Sequence, residues 1–443
     1  MPSKQHSKDQ QPLLTSTSVA ASLSPPRFPP HDSNLRQLYK TSRHPHLPSS
    51  LSIPDQLTRF LGTILPLDTQ HSFRDNGYFR TVADTAVKLT CPSLGIRHWT
   101  ECKEFIELSR IQSQTNNGKD IEDKNNSKRR RRRRWKRRKI SYGDHSMQYI
   151  DLFLPTSDVV SNTTKADNRI PIRGTIFFVH GGAWGAGHPW MYRLVAPTFL
   201  KLNFAVCIVG YRTYPDAKDI IKDQTKDVQL AWKTCGSVLN ELVVPLSGKE
   251  WVGNVVMGHS SGAHVGLLML VEWVDDQMKT NQSVNSKASS KQQYPWIPNY
   301  FIGLSGPYDI SYHFDYEGGR GVEQISPLKP ICGHTRENFN KASPVKRLLA
   351  LLPKQIDDST RSGSTIQQLM PPILLLHGIE DTVVPFTATS DAGRQLRSCG
   401  LQCDENYLSE TGHQDVIMHF MLGGEAKDLT LDWLLKRQII SRL

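Results

Sequence analysis

The sequence predicts an α/β fold: a doubly wound, mostly parallel sheet with a small cap segment, preceded by a disordered N-terminal extension. Three observations carry that reading. From residue 140 onward, short runs that are apolar at every position alternate with stretches of helical periodicity, the pattern of a parallel sheet covered by helices on both faces. The run Val255, Val256, Met257 leads straight into Gly258, His259, Ser260, Ser261, Gly262 and then a helical stretch, the pattern of a serine held on a sharp strand-to-helix turn. Upstream, the apolar run 175–179 ends in His180, Gly181, Gly182, Ala183, Trp184, a glycine-rich loop at the same edge of such a sheet.

Taken in order, residues 1–50 are rich in Ser, Pro, Gln and His with few large apolar groups, and a disordered tail is expected. Within 51–139, Leu57, Phe60, Leu61, Ile64 and Leu65, then Phe105, Ile106 and Leu108, mark short helices. The segment then turns polar and basic, as a linker does. The compact domain is read as 140–443. Its strands are expected at 147–153, 175–179, 204–209, 254–257, 300–304, 373–376 and 403–408, and its helices at 192–202, 218–242, 263–273, 388–399 and 425–436. Two polar insertions, 276–293 and 357–367, read as loops. The more apolar segment 307–352 lies between two strands at the active edge, where a cap over a pocket belongs.

Formal net charge is +12, but it sits in one place. The tract 128–139, opening on Lys128 and closing on Lys139, has eleven Lys or Arg in twelve positions, with Trp135 the one interruption. Removing those eleven from the 54 basic residues leaves 43 against 42 acidic, so the rest of the chain is neutral. The tract reads as a solvated linker, a nuclear import signal or a peripheral contact with an anionic membrane. No nucleic-acid fold accompanies it, so no nucleic-acid partner is expected. The seven cysteines include no C-x-x-C pair and point to a reducing compartment, cytoplasmic or at a membrane periphery. The Ser-rich start leaves nuclear or organellar import open. No run reaches the roughly 18 apolar residues of a membrane span. Oligomeric state is not legible, and nothing in the pattern calls for a metal or a cofactor.

A serine hydroxyl is a weak nucleophile until a base takes its proton, and the base needs an acid to hold its tautomer. Downstream of Ser260, the run 372–376 leads through His377 and Gly378 to Asp381, and His413 follows the last strand. Asp381 is therefore read as the orienting acid and His413 as the general base. Glu380 competes with Asp381 but fits the glycine spacing less well. His377 reads as a structural hydrogen-bonder, His264 as helix–sheet packing and His259 as a wall residue. Oxyanion donors are expected from the backbone N–H groups of Gly182, Ala183 and Ser261, with His180 and Gly181 supporting the loop. Trp184 and Trp190 are expected to line the pocket.

The series His180-Gly-Gly-Ala-Trp, Tyr211-Arg212 with Pro215, Gly258-His-Ser-Ser-Gly-Ala-His264, Gly303-Leu-Ser-Gly306 with Tyr308-Asp309-Ile310, and His377-Gly with Asp381 resembles one branch of the α/β-hydrolases. That branch contains prenylcysteine carboxyl methylesterases, kynurenine formamidases and related carboxylesterases. His313-Phe-Asp-Tyr, Arg320-Gly, Ser326-Pro327, Ala342-Ser-Pro344 and Gly412-His413-Gln-Asp415 look closer to the methylesterases. The resemblance implies a serine carboxylic-ester hydrolase working through an acyl-enzyme on a small or lipidated ester. A formamidase-like amide hydrolase is the alternative within the branch. A non-catalytic binding protein on the same fold is the alternative outside it, and such proteins usually lose the serine or the histidine.

Overall fold

A computed structural model describes residues 135–155, 169–246, 252–283, 296–352 and 362–440. The expected tail 1–50, the short helices of 51–110, Lys128 and the arginines up to 134, Cys91 and Cys102 lie outside the described residues.

The strands are β1 (Trp135–Ser141), β2 (Tyr149–Pro155), β3 (Ile170–Ile172), β4 (Gly174–Val179), β5 (Phe204–Val209), β6 (Val243–Pro245), β7 (Gly253–His259), β8 (Pro298–Leu304), β9 (Ile373–Gly378) and β10 (Cys403–Leu408). Eight form one sheet in the order β1-β2-β5-β4-β7-β8-β9-β10, and β3 pairs with β6 apart from it. β1 and β2 run antiparallel to their neighbours, and the pairs from β5 through β10 are parallel. Every residue of β4, β5 and β7 is buried, as expected of central strands covered on both faces.

The sheet starts earlier than residue 140. Trp135–Ser141, the last part of the basic tract, is an edge strand and not a linker. Trp135 packs on Phe153 with ring centroids 5.8 Å apart, and Ile140 reaches the core. Arg137 pairs with the buried carboxylate of Asp151. The charges masked the strand because an edge can carry cations on both faces, where they also discourage pairing with another edge.

One face of the sheet is covered by α2 (Lys226–Leu242), α3 (Ser261–Ser283) and the cap, the other by α1 (Ala196–Leu200), α10 (His413–Leu422) and α11 (Glu425–Lys436). A π-turn, Ile220–Thr225, leads into α2 and is capped by Asp219, whose carboxylate accepts from the N–H of Ile221 and Lys222 at 2.9 Å each. α3 runs past the expected end at 273 into the segment read as a loop. Its polar end holds good helix formers and a Lys279–Asp275 pair at 2.6 Å. The cap segment folds as α4 (Ile310–Arg320), α5 (Leu328–Cys332), α6 (Arg336–Ala342) and α7 (Pro344–Leu351). α8 (Ser362–Leu369) occupies part of the second expected loop, and α9 (Thr387–Ser398) covers the β9–β10 edge. Parallel strands bring the turns after β4, β7 and β9 to one rim of the sheet.

Candidate active site

The turn after β7 forces Ser260 to φ +55°, a left-handed conformation that a residue with a side chain adopts only under constraint. Two things hold it there. The Ser260 N–H donates to the Leu304 carbonyl at 2.8 Å, and Gly258 and Gly262 let the turn close. A Cβ on Gly258 would meet the Gly262 carbonyl at 2.5 Å, and one on Gly262 would strike the carbonyls of Val179 and His180. The elbow and the strand β4 are thus packed backbone on backbone.

His413 opens α10, where the Gly412 N–H donates to Asp415 at 2.9 Å. Its Nε2 lies 2.9 Å from Ser260 Oγ, and its Nδ1 lies 2.6 Å from Asp381 Oδ2. An ionised carboxylate only accepts, so Nδ1 carries the proton and Nε2 is left to accept from the serine hydroxyl. Serine, histidine and aspartate are 7%, 2% and 5% exposed, dry enough to strengthen each contact. Glu380 is exposed.

Asp381 holds four donors. Oδ1 accepts from the N–H groups of Val383 and Val384 at 2.9 Å each, and Oδ2 from His413 and from His377 Nε2 at 3.1 Å. Burial alone would raise this carboxyl. His413 and the hydrogen bonds from both histidines outweigh it and hold Asp381 well below the usual carboxylate range. His377 also bonds Thr389 Oγ1 at 2.7 Å and the Val384 carbonyl at 2.9 Å. It is a structural hydrogen-bonder, as its place at a strand end implies, but one that touches the acid itself.

The loop after β4 approaches the serine from the other side. A Cβ on Gly181 would sit 2.7 Å from the His259 carbonyl and 3.1 Å from Ser260 Cβ. Gly182, Ala183 and Trp184 all have positive φ, at 139°, 49° and 60°. Gly185 and Ala186 donate to the Gly182 carbonyl at 3.1 and 2.9 Å, which closes the loop on itself. His180 braces the base of the loop: its Nδ1 bonds the Gly181 carbonyl at 2.9 Å, its ring stacks on Tyr211 at 4.4 Å, and Tyr211 donates to its carbonyl at 2.7 Å. Burial lowers the His180 pKa to about 4, so the ring is neutral.

Trp184 does not sit where the sequence placed it. Trp184 is 2% exposed and is a brace, not a pocket wall. Its Nε1 donates to His264 Nδ1 at 3.1 Å, and its carbonyl accepts from Gln224 and Tyr214 at 2.7 and 2.9 Å. Its φ of +60° turns the indole into the core, toward α3. Trp190 is 57% exposed on the 3-10 turn Pro189–Val195, because Tyr192 and Val195 take the buried side of that turn.

Three contacts were hidden in the sequence. His259 bonds the His413 carbonyl through Nε2 at 3.2 Å and its ring lies tilted against that of His413 at 5.1 Å, so the variable elbow position supports the base. Burial, with the neighbouring His413, lowers its pKa to about 3. In the cap, Tyr316 and Arg320 donate to the carbonyls of Thr382 and Val383 at 3.2 Å each, which pins the loop carrying Asp381. Spacing 313, 316, 317, 320 was the available signal, one face of a helix with polar tips.

A doubly wound sheet with a strained serine on a strand-to-helix turn, and with histidine and aspartate aligned behind it, defines an α/β-hydrolase. The chain belongs to the BD-FAE family, whose model matches residues 158–396 and so spans the glycine-rich loop, Ser260 and Asp381. It is 25% identical over 295 residues to the isoprenylcysteine alpha-carbonyl methylesterase ICME of Arabidopsis thaliana, covering 66% of this chain and 60% of that one. A probable methylesterase of the same name from Oryza sativa subsp. japonica is 26% identical over 301 residues, covering 67% and 62%. Esterase LipC of Mycobacterium tuberculosis is 24% identical over 271 residues, covering 59% and 55%. The chain thus spans about 60% of the length of the curated methylesterases. Among solved structures, esterase B of Lactobacillus rhamnosis superposes with a TM-score of 0.48 at 13% identity, over 76% of this chain and 92% of that one.

Proposed function

We propose that this protein is a serine carboxylic-ester hydrolase that works through an acyl-enzyme, with prenylcysteine methyl esters as its substrate class. The observation that carries the reading is the line from Ser260 Oγ through His413 to Asp381, with the histidine tautomer set by a carboxylate that cannot donate. As Ser260 Oγ attacks the ester carbonyl carbon, its proton passes to His413 Nε2. Asp381 steadies the imidazolium. The N–H groups of Gly182, Ala183 and Ser261 take the negative oxygen of the tetrahedral intermediate. His413 returns the proton to the departing alcohol, and water, activated by the same imidazole, releases the acid.

The substrate class rests on the methylesterase relatives and on the resemblance of the cap motifs to that group. The same geometry also serves an amide, so the test separates the two. Activated acyl esters, a prenylcysteine methyl ester and N-formylkynurenine are assayed with the wild type and with Ser260→Ala. The expected result is turnover of esters, highest kcat/KM for the prenylcysteine ester, and a loss of about 10⁴-fold or more in Ser260→Ala with an unchanged thermal transition. A folded Ser260→Ala that keeps a tenth of the activity removes the serine from its role. Preference for the formamide moves the protein to the amide side of the branch.

A further inference from the structure

We infer that Tyr316 and Arg320 of the cap helix α4 are positioning residues that act on the Asp381 carboxylate through two peptide groups, a role that rests on the proposed Ser260, His413 and Asp381 triad and on no particular ester.

The turn after β9 wraps the aspartate in its own backbone. Asp381 Oδ1 accepts from the N–H groups of Val383 and Val384 at 2.9 Å each. Each N–H belongs to a planar peptide unit whose carbonyl comes from the residue before it, Thr382 for the first and Val383 for the second. The cap reaches those same two carbonyls. Tyr316 Oη donates to the Thr382 oxygen and Arg320 Nη1 to the Val383 oxygen, at 3.2 Å each. Two chains of hydrogen bonds therefore run from the cap to one oxygen of the orienting acid. One passes from phenol through peptide to carboxylate, the other from guanidinium through peptide to carboxylate.

A donor on a peptide carbonyl polarises the unit and strengthens its N–H as a donor, by about 10–30% per bond in such chains. The setting is dry enough for this to matter, with Tyr316 and Arg320 both buried beside a buried Asp381. The two cap groups also hold each other. They stand four residues apart on α4, and the guanidinium lies over the Tyr316 ring, 5.6 Å from its centroid. From the strand side, His377 bonds the next carbonyl, that of Val384, at 2.9 Å. The turn is thus gripped by β9 and by the cap together. The bland alternative is that Tyr316 and Arg320 only fasten the cap down. The cap has other fastenings, since His264 holds the Ala342 carbonyl at 2.8 Å, so loss of one donor on α4 leaves it seated.

The test measures kcat and KM of the full chain on p-nitrophenyl acetate, whose acyl group is small. Tyr316→Phe should lower kcat by about fivefold and Arg320→Gln by about tenfold, with KM within about twofold in both, and Arg320→Lys should recover part of the loss. If Arg320→Gln does not fold, Tyr316→Phe, which keeps the ring, carries the test alone, with an unchanged thermal transition as the check. The deciding measurement repeats Tyr316→Phe in an Asp381→Ala background. A residue that acts through the carboxylate has nothing left to act on there, so its effect should vanish. Wild-type kcat in Tyr316→Phe, an effect confined to KM, or the same loss in both backgrounds overturns the inference and leaves the triad standing. Wild-type kcat in Asp381→Ala overturns the triad, and this role with it.

Discussion

Two buried carboxylates, one behind the serine and one in the cap, are treated differently by the fold. Asp381, beyond β9, has both oxygens occupied by two donors each. Glu317, on the cap helix α4, uses Oε1 for the Ser326 hydroxyl at 2.8 Å and for His313 at 3.5 Å, while Oε2 has no hydrogen-bond partner. The difference separates a part that must be pinned from a part that retains capacity. A carboxylate with every acceptor site filled is held ionised and immobile, as an orienting acid must be. One with an unused oxygen carries a desolvation cost and keeps an acceptor for a donor that arrives later.

The contrast breaks most visibly at Asp381. Asp381→Asn should cut kcat/KM for an activated ester by about 10⁴-fold, because an amide favours the wrong imidazole tautomer, while Glu380→Gln should stay within about threefold. Steady-state kinetics on the two purified variants check this, and equal losses would put the acid at Glu380.

A second, smaller effect sharpens it. His377→Asn removes one of the four donors on Asp381 without touching the proton path. Kcat should fall by about tenfold with KM unchanged, the signature of a positioning residue. A change confined to KM would show that His377 acts on the pocket instead.

Acid tests the same principle through stability. His180, His259 and His264 are buried and neutral, with pKa values lowered to about 4, about 3 and about 4, in each case chiefly by burial. The sign follows from proton uptake. Below the ordinary histidine pKa of about 6.5 the unfolded chain binds protons that the folded chain refuses, so stability is complete above that pH and falls as pH drops toward 4. The loss should approach 1 kcal/mol per histidine per pH unit, on the order of magnitude, and urea midpoints at neutral pH and near pH 5 measure it. A flat profile would mean that these rings accept protons in the native state.

The smallest effect belongs to the cap. Glu317→Gln keeps the shape and the Oε1 acceptor, so stability should change by no more than about 1 kcal/mol. Its kinetic effect should fall on KM, by less than tenfold. A loss of kcat as large as that of His377→Asn would erase the distinction between the two carboxylates.

Much of this architecture was legible because it is local. The elbow, the glycine-rich loop and the strands β4, β5 and β7 announce themselves by glycines at fixed offsets and by unbroken apolar runs. What escaped reading depends on contacts distant in sequence. β1 was hidden because its stabilising partners, Phe153 and Asp151, belong to another strand and its own residues look like a linker. Trp184 was misplaced because a positive φ cannot be read from an indole, and that torsion decides whether the ring faces substrate or core.

His264 has a further consequence. Its Nδ1 accepts from Trp184 in the glycine-rich loop, and its Nε2 donates to the Ala342 carbonyl at the end of α6, at 2.8 Å. One imidazole therefore fastens the loop to the cap, and on the cap side it grips the main chain, not a side chain. A substitution at Ala342 leaves the acceptor of that fastening in place, since every amino acid brings the same carbonyl. The side chain at 342 can therefore change while the loop stays fastened to the cap.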